Sequence, residues 1–326
     1  MPTQKEYLLD PNNKRTILYP IKHHGIWDFY LIHLSMHWVP SEIQFLKDSD
    51  DWSNALNDNE RHYAKYILAF FAVSDFIVID NQYKDSDEVC ILEYKFYNDN
   101  KIDRENIHAI TYANMIETYI TDEKEKEFLL DSIKTIPSVK EKADWMIKYI
   151  NTGDFVHRLV ACAIMEGVFF SGAFCGIFWL KKRGLMKALC EANEFIARDE
   201  ASHRDFACMI YRNYVINKLP IEELKEMIIG AVNIEKKFVK ESLPVSLIGM
   251  NENAMCEHIE NVADLLCNQL IGENIYGTKT PFEWMNLIGQ SVKTNFFEAK
   301  VTTYAKQTLL TNKEDNMLSV SEDNDY

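Results

Sequence analysis

Apolar positions along this chain fall into long runs with the three-to-four-residue spacing of helices, and little punctuation separates them. Gly (11) and Pro (8) are scarce in 326 residues, which favours few turns and long elements. Residues 1–20 read as an irregular arm. Ile26 to Trp38 has helical spacing and is ended by Pro40. Asp58-Asn-Glu60 starts a helix whose apolar run is Tyr63 to Val78. Two polar stretches, Asp85–Asp87 and Tyr97–Lys101, predict helix breaks. The helical pattern returns from Arg104 to Tyr119. Thr121-Asp122 caps a helix to about Lys134. Pro137-Ser138 with Glu141 three residues on predicts a capping box and a helix to Ile150. Gly153-Asp154 opens a helix over 155–182 that Gly184 closes. Further helices are predicted over 188–216, from Pro220 to Glu241 and over 251–271, and Asn295 to Leu310 reads as the last ordered segment. No stretch alternates as a sheet strand would, so the fold class is all-α. The polar, acidic stretch 311–326 cannot bury enough surface to order itself and reads as a flexible tail.

Composition narrows the classes of function. The formal charge is -15 and the one compact basic block is Lys181-Lys182-Arg183, which suits a helix C-terminus. Nucleic acid is therefore not an expected partner. The seven cysteines form no Cys-x-x-Cys pair, and Met1 to Arg15 has no apolar segment, so the chain reads as cytoplasmic. Leu159 to Leu180 is long and apolar enough to cross a membrane, but it carries Glu166 near its middle. A carboxylate there costs about 2.5–3.5 kcal/mol on an insertion scale. The central buried helix of a globular fold explains the run without a membrane.

Two short spacings then give the chain its chemistry. Glu105-Asn-Ile-His108 and Glu200-Ala-Ser-His203 are the two places where His follows Glu by three. On a helix, each pair aims a carboxylate and an imidazole at one point. A four-helix bundle that holds two metal ions uses two such helices, plus one carboxylate from each of two more. Glu166, alone among 22 apolar or small residues, and Asp75, within Ala69 to Val78, are the candidates for those carboxylates. The expected ligands are thus Asp75, Glu105, His108, Glu166, Glu200 and His203. An oxygen-rich set with two nitrogens suits iron or manganese better than zinc. Taken singly, each pair could be a solvated helix face, Asp75 a bonded core residue, and Glu166 the partner of an arginine. One metal centre accounts for all four at once. The remaining histidines, His33 among them, lack matching acid spacings and read as structural.

Tyr112 follows His108 by four and so shares its face. Phe170 and Phe174 extend the stripe of Glu166, and Ile196 precedes Glu200 by one turn. These apolar side chains are expected to make a dry pocket beside the metals, the condition under which an oxidised phenol survives.

The segments Leu68-Ala-Phe-Phe-Ala-Val-Ser-Asp75, Glu105-Asn-Ile-His-Ala-Ile-Thr-Tyr112, Glu166-Gly-Val-Phe-Phe-Ser-Gly-Ala-Phe174, Phe178-Trp-Leu-Lys-Lys-Arg-Gly-Leu-Met186, Arg198-Asp-Glu-Ala-Ser-His203 and Lys293-Thr-Asn-Phe-Phe-Glu298 carry a resemblance. Together they resemble the small, radical-bearing subunit of class I ribonucleotide reductase of the eukaryotic and viral type, from about residue 14 to 310. The resemblance implies a ferritin-like four-helix bundle core with additional helices, spanning 21–310, and a homodimer. It implies two iron ions per chain, oxo-bridged, with manganese as the other candidate metal and O2 as the activating oxidant. Tyr112 would carry the radical. Trp38, Asp199 and His108, with Tyr304 near the tail, would pass it to a large catalytic subunit docked on residues 317–326. The reaction served is the reduction of ribonucleotides to deoxyribonucleotides, with no membrane and no nucleic acid as partner. Two features depart from the family pattern: Tyr97 to Arg104 is more polar, and the chain ends in Tyr326 rather than Phe. The competing readings are an oxygenase or oxidase with the same bundle and a ferritin-type iron-binding protein. Neither needs Tyr112, Trp38, Tyr304 or the tail.

Overall fold

The computed structural model describes residues 5–243, 247 and 249–285. Eleven α-helices are found there: α1 (His24–Ser35), α2 (Asp58–Glu88), α3 (Leu92–Tyr119), α4 (Glu123–Leu130), α5 (Ser132–Thr135), α6 (Pro137–Thr152), α7 (Phe155–Ile164), α8 (Ser171–Lys182), α9 (Lys187–Asn213), α10 (Ile221–Ser242) and α11 (Glu252–Ile271). No β-strand occurs among the described residues, in keeping with the all-α expectation.

Local chemistry explains most boundaries. Asn57 Oδ1 accepts from Glu60 N, and the Glu60 carboxylate accepts from Asn57 N, both at 3.0 Å, closing a capping box at the start of α2. Asp154 and Asn251 cap α7 and α11 from one side only, accepting from His157 N and Ala254 N. The start of α9 has no local cap. Asp48, far away in sequence, accepts from Ala188 N at 3.0 Å and Leu189 N at 2.8 Å. The turn before it uses Gly184 at φ 73° and Met186 at φ 52°, with Met186 N donating to Asp51.

Four expectations need correction. The break at Tyr97–Lys101 does not exist, and α3 runs unbroken from Leu92. Tyr97, Asn98 and Lys101 are buried and partnered there, with Asn98 donating to Gln82 O and Ser86 and Lys101 donating to Glu166. The first break instead falls at Val89–Ile91, where the backbone is extended. The capping box at Ser138 is also absent. Its backbone N–H donates to Glu241 at 3.0 Å, while Glu141 pairs with Lys237, so a tertiary partner replaces the local one. The predicted helix 155–182 is interrupted by a π-helical turn, Met165–Phe169, which carries Glu166. Finally, Trp38 lies beyond the end of α1 at Ser35. Residues 5–20 are irregular apart from two 3-10 turns, and Leu8 O accepts from Cys90 N at 2.7 Å. Tyr304, the ordered segment expected at 295–310 and the tail at 311–326 lie outside the described residues.

Helices α2, α3, α9 and α7 form a closed ring: α2 packs on α3, α3 on α9, α9 on α7, and α7 back on α2. The π turn is covered by α9, α10 and α11, and α1 lies across α3 and α9. Two segments are long and apolar enough to span a membrane, Asp58–Glu88 and Phe155–Lys182. Their most apolar windows are 67% and 100% buried within the fold, as in core helices.

Candidate metal centre

Each helix of the ring sends ligand-type side chains to its axis. Asp75 comes from α2, Glu105 and His108 from α3, Glu166 from the π turn after α7, and Glu200 and His203 from α9. All six are buried. Ligand atoms of Glu105, Glu166, Glu200 and His203 lie within 4.8 Å of one another, and so do those of Asp75, Glu105 and His108. Glu105 belongs to both groups, so two adjoining sets that could each hold a cation share one carboxylate. The six residues singled out in the sequence are thus brought together.

The imidazoles are oriented by long-range partners. His108 Nδ1 faces inward, 2.9 Å from Glu200 Oε1 and 3.4 Å from Glu105 Oε2, while its Nε2 faces Asp199 at 3.2 Å. His203 Nδ1 lies 3.1 Å from Glu105 and 3.3 Å from Glu200, and its Nε2 faces His33 Nε2 at 2.9 Å. His33 is held in turn by Asn100 at 2.6 Å. An inward nitrogen set among carboxylates and an outward nitrogen fixed by a partner is the arrangement that metal-bound histidines use.

Burial makes the cluster costly without a cation. Among the described residues Asp75 Oδ2, both Glu105 oxygens, Glu166 Oε2 and Glu200 Oε1 have no hydrogen-bond donor. Burial drives the Asp75 carboxyl well above its ordinary range, with Glu105 adding to the rise, and it raises Glu166 despite Lys101. Burial works against ionised Glu105 too, but His203 and His108 hold it below the usual carboxylate range. Conversely, burial opposes protonation of His203, yet Glu105 and Glu200 raise it to about 9. Unpaired buried oxygens facing one another at this density are relieved by divalent cations. The donor set, its burial and its orphaned oxygens fit a metal centre.

Tyr112 sits one turn beyond His108, is 1% exposed, and stacks on Phe71 with centroids 4.5 Å apart and planes at 6°. Its hydroxyl has no partner among the described residues. Burial, then the charges of Asp75, Glu200 and Glu105, push the phenol well above its ordinary pKa. Phe170 and Phe174 each lie 5.3 Å from Phe71, and Ile196 is buried one turn before Glu200. Outside the cluster, Trp38 Nε1 donates to Asp199 at 2.8 Å.

Sequence reasoning missed Phe71, Lys101, His33 and Arg104. Phe71 and Lys101 each precede a ligand by four, so helical spacing could have found them. His33 and Arg104 offered no such signal. Arg104 is buried with its Nε 3.7 Å from Asp199, and His33 reaches His203 from 170 residues away.

Residues 15–281 match the family described as ribonucleotide reductase, small chain. The chain belongs to the ribonucleotide reductase small-chain family. It is 50% identical over 306 residues to the ribonucleoside-diphosphate reductase small chain of Encephalitozoon cuniculi, covering 93% of each chain. It is 48% identical to the small subunit of Dictyostelium discoideum, covering 92% of this chain and 89% of that one. The structure superposes on the ribonucleotide reductase Rnr4 homodimer of Saccharomyces cerevisiae with TM-score 0.80 and 31% identity, over 92% and 93% of the two chains. Membership makes the chain an oxidoreductase subunit with a ferritin-like helical fold, and it sets aside the oxygenase and iron-storage readings.

Proposed function

We propose that this chain generates and stores a tyrosyl radical on Tyr112 and delivers it for ribonucleotide reduction by a large catalytic subunit. The observation that carries this reading is the position of Tyr112: one helical turn from His108, sealed by aromatic rings, with an unpartnered hydroxyl beside the carboxylate cluster. Asp75, Glu105, His108, Glu166, Glu200 and His203 would hold two iron ions, with manganese as the other candidate. When bound, the metal pair supplies, with O2, the oxidising power that removes one electron from Tyr112. Tyr112 would give up its proton with the electron and become a neutral radical, since burial among aromatic rings disfavours a charged phenol. Phe71, Phe170, Phe174 and Ile196 keep water and reductants away. His108, Asp199 and Trp38 lie in one hydrogen-bonded line leading away from the centre, and Tyr304 is assigned the outer end of the route.

Partner and assembly follow the same reading. The acidic segment 317–326 is the proposed docking element for the large subunit, and deleting it should abolish reductase activity while leaving the radical. A homodimer is supported by the yeast relative and by two exposed aromatics seven residues apart on one face of α2, Phe76 and Tyr83. The seven free cysteines accord with a cytoplasmic protein.

Electron paramagnetic resonance of iron(II)-loaded protein after exposure to O2 tests the central claim. Wild type should give a tyrosyl radical signal, and Tyr112→Phe should bind the same iron and give none. An unchanged signal in the variant would move the radical elsewhere.

A further inference from the structure

The cation positions are not electrically equivalent. Lys101 precedes Glu105 by one turn of α3, so the helix places its side chain on the ligand face. The side chain is 5% exposed, and its ammonium donates to Glu166 Oε1. Its other neighbour is the Cys162 sulfur at 3.3 Å, and Cys162 is one turn before Glu166. A fixed positive charge therefore touches a ligand oxygen of one group, Glu105–Glu166–Glu200–His203. The outer partner of that group is the imidazole of His33, which brings no carboxylate. The other group, Asp75–Glu105–His108, has no lysine against its ligands among the described residues. Its outer partner is the carboxylate of Asp199, which also faces Arg104 at 3.7 Å and Arg198 at 3.5 Å, so the difference between the two groups rests on Lys101.

We propose that Lys101 is a built-in counter-cation of Glu166 that weakens the metal position on the Glu166–His203 side, so that the Asp75–His108 side fills first. This rests on the two-metal reading above. Without metal, the ammonium compensates a carboxylate that would otherwise be buried and unpaired. With metal arriving, it must be pushed off an oxygen that the cation needs. At ligand distance a unit charge opposes a divalent ion strongly even with an effective dielectric constant of about 20. Lys101 also sits in the stretch that departs from the family pattern toward polarity.

The test is titration of the metal-free, full-length chain with manganese(II), followed by calorimetry and by the resonance signal of free manganese. Wild type should bind in two resolved steps. Asp75→Asn should remove the tighter step and His203→Ala the weaker one. Lys101→Met should tighten the weaker step by about tenfold or more, with the tighter step changed by less than about threefold. Lys101→Gln keeps a donor for Glu166 without the charge and should act in the same direction, so it carries the test if the methionine variant does not fold. Two steps left unequal by the same factor in both variants would overturn the inference alone. Failure of wild type to bind manganese would overturn the metal reading and this inference with it.

Discussion

Trp38 donates its indole N–H to Asp199 at 2.8 Å, and the accepting oxygen is the same one that faces His108 Nε2 at 3.2 Å. The Trp38 and His108 rings lie nearly parallel, 6.0 Å apart. Burial works against an ionised Asp199, but His108, His33 and Arg198 hold it below the usual carboxylate range, so it stays an acceptor for both rings. One carboxylate oxygen thus ties His108 to a tryptophan contributed by a segment outside the bundle.

If that tie is the radical route, Trp38→Phe separates storage from delivery. The variant should bind metal and form the Tyr112 radical at near wild-type yield. Its reductase turnover with the large subunit should fall on the order of 100-fold, about 2.7 kcal/mol on the barrier. Radical yield by resonance and deoxyribonucleotide formation by turnover assay check the two halves. A parallel loss of both would make Trp38 a structural residue only.

The outer partners of the ligands predict a graded series at His203. His203→Ala should lose most of one metal equivalent. His33→Ala keeps the ligand but removes the group that fixes its outward nitrogen, and should weaken metal binding by about 10- to 100-fold. Asn100→Ala, one step further out, should cost less. Metal content after dialysis against a weak chelator ranks the three, and equal retention in all would reject the chain from Asn100 through His33.

Much of this site is legible in the sequence because helices turn spacing into direction. Glu-x-x-His, and Tyr112 four residues after His108, need only the helical period to converge. Asp75 and Glu166 stand out because a lone acid in an apolar run demands a partner. What the sequence hides is set by distant contacts. His33 has no acid three residues before it and finds its role through α9. Tyr97–Lys101 reads as a break because it is polar, yet the fold buries one face of it, with Tyr97 stacked on Phe206 at 3.6 Å and Lys101 on Glu166. The π turn at Met165–Phe169 has no composition of its own, and its carbonyls are met by side chains from other helices.

One of those side chains is Lys142, and it yields a stability prediction. Its ammonium reaches Phe169 O at 3.0 Å and Glu235 at 2.5 Å, between the rings of Phe70 and Phe238 at 3.6 and 3.7 Å. Burial lowers Lys142 to about 8 and raises Glu235 to about 7, the mark of a pair that is costly to desolvate. Lys142→Met leaves Glu235 buried and alone, and should destabilise the chain by about 3–5 kcal/mol. Lys142→Met with Glu235→Leu should recover most of that loss. Denaturant unfolding of the metal-free proteins measures the cycle, and a double variant no more stable than the single one would mean that the bond to Phe169, rather than the ion pair, dominates.

His258 gives the fold a pH dependence separate from the metal centre. It is buried on α11, its Nδ1 lies 2.9 Å from Thr280 Oγ1, and its Nε2 has no partner among the described residues. Burial alone pulls its pKa down from 6.5 to about 4. The native chain therefore keeps His258 neutral where the unfolded chain takes up a proton. This contribution is fully present above pH 6.5 and is lost as pH falls toward 4. Between pH 7.5 and 5.5 the single residue should cost about 1.4 kcal/mol of stability. His258→Asn, which can keep a polar contact to Thr280 but does not titrate, should remove that part of the acid sensitivity while lowering stability at pH 7.5. Urea unfolding of both proteins at the two pH values decides it: equal pH sensitivity in the two would mean that His258 is protonated in the native chain as well.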